Sequence, residues 1–217
     1  MNGVESVVDL ANENGRRLKS AGHSAILALH RRIVPSSLLP AALTESESIV
    51  SISAMVTWTE FAEQAPRIAE IFVRRHTATD NLCMLATIRS DGYPRISPLE
   101  PLIFEGEMVL VGMPGTTKFA DLGRDPRFCL HTATVDTQVG DGDAKLWGTV
   151  QNLQEKDMHE RFFADLFDRT GMDLRGEVFD PFFVADFSSA SSLELVDNQL
   201  EITIWKPGEG ERTVTKT

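Results

Sequence analysis

From Thr57 onward the spacing of hydrophobic residues changes period several times. Thr57-Trp58-Thr59-Glu60 has the form of a capping box, which satisfies orphan amides at a helix start. Pro66 suits the first turn of a second helix, with Ile68, Ile71 and Phe72 on one face and an end near Arg75. Strand patterns follow. LCMLATIR (82–89) reads as an apolar strand and Ser90-Asp91-Gly92-Tyr93 as a hairpin turn. PRISPLEPLIF (94–104) reads as a strand that Pro98 and Pro101 force to bulge or to lie at an edge. Glu105-Gly106-Glu107 turns into MVLVGM (108–113), and KFADLGRD (118–125) predicts a short helix stopped by Pro126. FCLHTAT (128–134) and KLWGTVQNL (145–153) predict strands, separated by an acidic loop, and EKDMHERFFADLF (155–167) predicts an amphipathic helix. SLELVD (192–197) and LEITIW (200–205) predict two more strands joined at Asn198-Gln199, ahead of a polar tail.

About seven strands in meander connection, with short helices between them, predict a mainly β fold: a small antiparallel barrel with flanking helices. No strand–helix–strand alternation supports a doubly wound parallel sheet. Residues 4–33 carry amphipathic helical patterning, and the Ser/Pro-rich stretch to residue 54 reads as a linker. The predicted organisation is a helical extension over residues 1–54 and a barrel domain over 55–217, the extension being dispensable for whatever the barrel binds. An alternative has the functional chain opening at Met55.

Charge sharpens this division. The 217 residues carry a net −11. Residues 1–54 hold equal numbers of basic and acidic side chains, so the whole excess lies in the barrel region. A domain so acidic repels phosphate backbones, which argues against nucleic acid as a partner. No apolar run approaches the roughly 20 residues of a membrane span, and no secretory leader pattern opens the chain, so a cytoplasmic protein without membrane contact is expected. Two cysteines, Cys83 and Cys129, lie inside apolar strand patterns and are expected to be buried and inert.

Several motifs fail. Gly112 to Lys118 lacks the Gly-Lys-Ser/Thr ending of a phosphate loop, and Gly208-Glu209-Gly210 lacks the rest of a dinucleotide fingerprint. Asp141-Gly142-Asp143 lacks the bidentate glutamate of a calcium loop, and the histidines share no metal spacing. His131 is expected to point into the barrel, as a hydrogen-bonded core residue.

One region combines the chemistry of an anion site. Arg95 and Ser97 alternate on one strand face, and Gly115-Thr116-Thr117-Lys118 opens a helix. Free amides at the helix start, two hydroxyls, a lysine and an arginine would suit a phosphate monoester; the plainer reading is a capped helix with solvated basic side chains.

The run LATIRSDGYPRISPLEPLIFEGEMVLVGMPGTTKFADLGRDPRFCLHT resembles the core of the pyridoxamine 5′-phosphate oxidase-like, FMN-binding split-barrel proteins. The matching pieces are the LATxRxDGxPR hairpin and the K-x-x-x-L-x-x-D-P-R segment. The resemblance implies a split antiparallel β-barrel, a homodimer, and FMN at the subunit interface, with deazaflavin coenzyme F-420 as an alternative and haem as a less favoured one. It assigns the phosphate to Arg95, Ser97, Thr116, Thr117 and Lys118. Trp147 and Trp205 become candidates for stacking on the ring, although both could equally be core aromatics. The implied activity is hydride or electron transfer between the cofactor and a small organic substrate; no catalytic residue is identified. The alternatives are a non-catalytic flavin- or haem-binding protein, with His76 or His131 as iron ligand, and a structural dimer with an empty pocket. The C-terminal ITIWKPGEGERT keeps a tryptophan but not the arginine pattern of true vitamin B6 oxidases.

Overall fold

The Thr57 hydroxyl accepts a hydrogen bond from the Glu60 amide at 3.1 Å, and the Glu60 carboxylate accepts one from the Thr57 amide at 2.9 Å. This reciprocal cap opens helix α1 (Trp58–Gln64), and Pro66 opens α2 (Pro66–Ala78). The computed structural model describes residues 55–134 and 140–216, within a compact unit spanning Ala54–Thr217. The extension expected over residues 1–54 and part of the acidic loop lie outside the described residues.

Nine strands follow: β1 (Cys83–Ile88), β2 (Pro94–Leu99), β3 (Leu102–Phe104), β4 (Glu107–Leu110), β5 (Arg127–Thr132), β6 (Asp143–Asn152), β7 (Phe183–Val196), β8 (Gln199–Lys206) and β9 (Gly210–Lys216). Helices α3 (Thr117–Arg124) and α4 (Lys156–Thr170) interrupt them. Every pairing is antiparallel. The sheet runs β2-β1-β5-β6-β7-β4-β3, with β8 branching from β7 and β9 from β8, and it does not close. It is the mainly β, split antiparallel architecture that the sequence predicts.

The differences are local and have physical causes. PRISPLEPLIF is two strands, not one: Pro98 is accommodated within β2, at the sheet edge, and the break falls at Glu100-Pro101, where Pro101 cannot donate to a ladder. Its halves lie at opposite ends of the sheet path, joined by Glu100 and Pro101 alone. Strand β7 begins nine residues earlier than expected. Its first residues are buried on both faces: Phe183 and Ala185 enter the main core, while Val184 packs beside Phe182 against Phe162 and Phe163 of α4. A run buried on both sides loses the alternation that marks a strand. The polar tail forms β9, whose Thr213 hydroxyl meets that of Thr203 at 2.9 Å. The turn before β8 is Asp197-Asn198, both with positive φ (50° and 62°), rather than Asn198-Gln199. That is the backbone of a two-residue hairpin turn.

The main core lies between α1, α2 and the sheet, with Phe61, Phe72 and Trp205 fully buried. His76 in α2 stacks on Phe72, and its Nε2 donates to the Pro101 carbonyl at 2.8 Å. Burial pushes this imidazole below its ordinary pKa, so it stays neutral at pH 7. Arg67 of α2 is held by Glu194 at 3.1 Å and also by Glu201. Gly148 sits at an irregularity in the β6–β7 register, and a Cβ there would come within 1.9 Å of the Asp186 carbonyl oxygen. Among the described residues no helix is long and apolar enough to cross a membrane.

Candidate functional site

Strand β2 has two faces. Arg95 and Ser97 share the side on which Leu99 is buried, while Ile96, on the other side, is 69% exposed. Register places Thr87 beside Arg95 and Leu85 beside Ser97, so this inner face continues across β1. Helix α3 covers it. Phe119 and Leu122 enter the core, and the flank bearing Lys118 and Asp121 meets β1 and β2.

Asp121 is the hub of that contact. Its Oδ2 accepts from Arg95 Nε at 2.6 Å and from the Thr87 hydroxyl at 3.0 Å, and Arg124 lies 3.4 Å from Oδ1. Burial alone would raise the pKa of this carboxyl. The hydrogen bonds from Arg95 and Thr87 prevail and hold it below the usual range. The Arg95 contact uses Nε, so the terminal guanidinium nitrogens take no part in it.

Lys118 reaches across to β2, where its Nζ donates to the Pro98 carbonyl at 2.7 Å. Burial pushes its ammonium pKa down, while Glu100 pulls it up. Thr116 stands at the N-cap of α3 without making a side-chain cap, and its Oγ1 is buried with no hydrogen-bond partner. Thr117, the first residue of the helix, is exposed. The structure therefore brings Lys118 to β2, the strand that carries Arg95 and Ser97, while Thr116 and Thr117 stand at the start of α3 without a side-chain hydrogen bond to that strand.

The tryptophans are not part of this contact. Trp205 is fully buried, edge-on to Phe61 with ring centroids 5.0 Å apart, so it is a core residue and not a stacking platform. Trp147 is half-buried and pairs with Cys129, in the row that runs through Ala86 to Ile96. It lies on the sheet face opposite Arg95 and Ser97. His131 shares that outer face and does not point into the core. Its Nδ1 lies 2.6 Å from the Thr132 carbonyl, and its Nε2 lies 3.7 Å from Asp143, which also takes Lys145 Nζ at 2.6 Å. Cys83 is buried and its thiol is pushed up to about 12, mainly by burial. Cys129 is half-buried and raised as well. Cys83 is the buried thiol that the sequence predicts, whereas Cys129 faces the outer side of the sheet and is not fully buried.

Sequence reading missed Asp121, Thr87 and Arg124. The signal was present: Lys118, Asp121 and Arg124 recur every third residue on one helix flank, and Thr87 falls in the buried phase of β1. Among the described residues no group of three or more His, Cys, Asp or Glu side chains could hold a metal ion.

Residues 71–190 match the family model described as pyridoxamine 5′-phosphate oxidase. The fold is similar to that of PhzG from Burkholderia lata, solved with tetrahydrophenazine-1-carboxylic acid: TM-score 0.50, 9% identity, covering 71% of this chain and 93% of that one. A pyridoxamine 5′-phosphate oxidase-related, FMN binding protein from Nostoc punctiforme has TM-score 0.48 and 12% identity, over 70% of this chain and 95% of the other. HutZ, the haem storage protein of Vibrio cholerae, has TM-score 0.42 and 13% identity, over 56% and 87%. No curated protein matches the chain.

Proposed function

The chain belongs to the pyridoxamine 5′-phosphate oxidase family, and from that premise we propose that it is an FMN-dependent oxidoreductase acting on a small organic molecule. The observation that carries this reading is the reach of Lys118 to the Pro98 carbonyl. It joins the start of α3 to the strand that presents Arg95 and Ser97. The donor set fits a phosphate monoester. Lys118 hydrogen-bonds to a neutral carbonyl rather than to a carboxylate, Arg95 spends one of its nitrogens on Asp121, and Thr116 has a hydroxyl without a partner. Arg95, Lys118 and Arg124 outnumber the acids beside them, Asp121 and Glu100. In a chain of net charge −11, an anion needs such a local excess.

On this reading Lys118 and Arg95 hold the phosphate by charge-assisted bonds, and the first amides of α3 supply the remaining donors. The chemistry such a cofactor supplies is hydride or electron transfer. Asp121 keeps the Arg95 guanidinium fixed against β2. A homodimer is part of the proposal. Ile96, at 69% exposure, continues through Ala86 and Cys129 to Trp147 as an apolar row that water would otherwise cover, and a second subunit would bury it. Trp147, on that face, is then the tryptophan with access to an intersubunit ring.

Deazaflavin is the alternative cofactor. For haem, His76 is buried with its Nε2 committed to Pro101, so of the two histidines the sequence offers for this role His131, on the outer face, is the accessible one.

The absorption spectrum of the purified protein, before and after addition of FMN, tests the proposal. Bands near about 370 and 450 nm that stay with the protein on gel filtration are expected; a band near about 420 nm alone would indicate deazaflavin, and a sharp Soret band haem. Lys118→Ala is expected to weaken FMN binding about tenfold, the loss of one charge-assisted bond. A protein that takes up no flavin overturns the reading.

A further inference from the structure

Helix α3 has a second exposed flank, turned away from Lys118 and Asp121. Thr116, Ala120 and Gly123 line a cleft of about 520 Å³ there, over a floor of Phe119, Leu122, Val150 and Phe183. Those four floor side chains are between 1% and 6% exposed, so the floor is the edge of the core itself. The Phe119 and Phe183 rings lie 6.0 Å apart at 51°, forming an aromatic corner. Gly123 keeps the cleft wide: a Cβ there would meet nothing within 4 Å. Glycine is a poor helix residue, and packing does not require it at this position.

The charge of the cleft is one-sided. Among the described residues its lining includes no lysine, arginine or histidine, and its one ionisable residue is Asp180. Beside it, Asn152 is locked, since its Oδ1 accepts from the Phe182 amide and from Gln154 Nε2, each at 2.8 Å. Asn152 Nδ2 donates to one Asp180 oxygen at 3.4 Å, a contact that leaves the second oxygen uninvolved. A volume of this size accommodates a ring or fused-ring molecule. Gly115 and Thr116, at the start of α3, also belong to the lining, but the charged side chain an anion would meet among the described lining residues is the Asp180 carboxylate, which favours a cation there.

The geometry points to a binding site for a small aromatic amine, its ring against Phe119 and Phe183 and its ammonium at Asp180. This inference does not rest on the flavin proposal, whose residues occupy the other flank of α3 apart from Thr116.

The test uses three probes of one shape at pH 7: 2-naphthylmethylamine, 2-naphthalenemethanol and 2-naphthoate, titrated into the full chain by calorimetry. The amine is expected to bind most tightly, the alcohol about threefold more weakly, as for an exposed ion pair, and the carboxylate least. Asp180→Asn is expected to remove the difference between amine and alcohol. Gly123→Leu, which fills the cleft from a position compatible with helix, is expected to abolish binding of all three. If that variant does not fold, Ala120→Leu on the same exposed flank serves the same purpose. Equal affinity for the three probes, or binding unchanged by both the Asp180 and the cleft-filling variants, would overturn the inference. So would the absence of any amine binding at millimolar concentration.

Discussion

Arg95 Nε and Asp121 Oδ2 are 2.6 Å apart, and that contact ties β2, which carries Arg95 and Ser97, to α3, which carries Lys118. Asp121 is almost fully buried, with 6% of its side chain exposed, whereas Arg95 retains 30%. The pair therefore has a structural partner and a partly accessible one.

Arg95 and Lys118 should separate when each is removed. Arg95→Ala leaves a buried carboxylate with fewer donors and is expected to cost about 1–3 kcal/mol of stability as well as flavin affinity. Lys118→Ala loses one bond to a carbonyl near the surface and should lower affinity with little change in melting temperature. The Arg95 deficit should also depend on pH. The folded pKa of Asp121 lies below its unfolded value, so its contribution is present above about pH 4 and disappears as pH falls through the folded value. Thermal melts of both variants at pH 7 and pH 3 measure this. Equal deficits at the two pH values would show that the pair contributes nothing.

Glu107 should behave in the opposite sense. Its Oε2 is buried without a partner, and burial, with Glu60 nearby, raises its pKa. A carboxyl raised on folding favours the native state when protonated, and that advantage declines as pH rises from the unfolded value through the folded one. Glu107→Gln is therefore expected to raise the melting temperature at pH 7 by roughly 2–4 °C, about 1 kcal/mol in a chain of this size. Near pH 4 the gain should vanish, which differential scanning calorimetry at the two pH values resolves.

Gly148→Ala should be severely destabilising. The added methyl would come 1.9 Å from the Asp186 carbonyl oxygen, an atom held in the backbone of β7. Neither strand can yield without breaking the longest pairing in the sheet. A loss above about 3 kcal/mol is expected, in the range that denotes a steric clash rather than a lost contact. Urea melts measure it.

Trp205 separates packing from cofactor contact. Trp205→Ala is expected to cost about 3–5 kcal/mol through the cavity it leaves. Trp205→Phe should cost less than about 2 kcal/mol, because the indole Nε1 has no hydrogen-bond partner to lose. The phenylalanine variant should bind flavin as the parent does, by fluorescence titration, since the indole is fully buried against Phe61.

The fold was legible wherever one face of an element is buried. Thr57 and Glu60 announce α1, Asp91-Gly92 the first hairpin, and Leu130 alternating with Cys129 and His131 the strand β5. It was illegible where burial is two-sided, as at Phe183–Ala185, or nearly absent, as along β9. In the candidate site Arg95, Ser97 and Lys118 were legible because polar and basic residues have few reasons to sit beside an aliphatic core. The carboxylate that holds Arg95 was not. A helix aspartate three residues after a lysine reads as one of a solvated pair until tertiary contact brings Thr87 and Arg95 to it. The faces of Trp147 and Trp205 are likewise properties of the sheet register, which the local sequence leaves open.

The break in the 94–104 strand has a mechanical consequence. The first and last strands of the sheet path, β2 and β3, are joined through Glu100 and Pro101 but form no ladder with each other. The two ends of the open sheet path are thus tied by the chain itself and by His76 on the Pro101 carbonyl, not by a ladder. Separating β2 from β3 therefore ruptures no interstrand hydrogen bond, and Arg95 and Ser97 lie on one of those two strands.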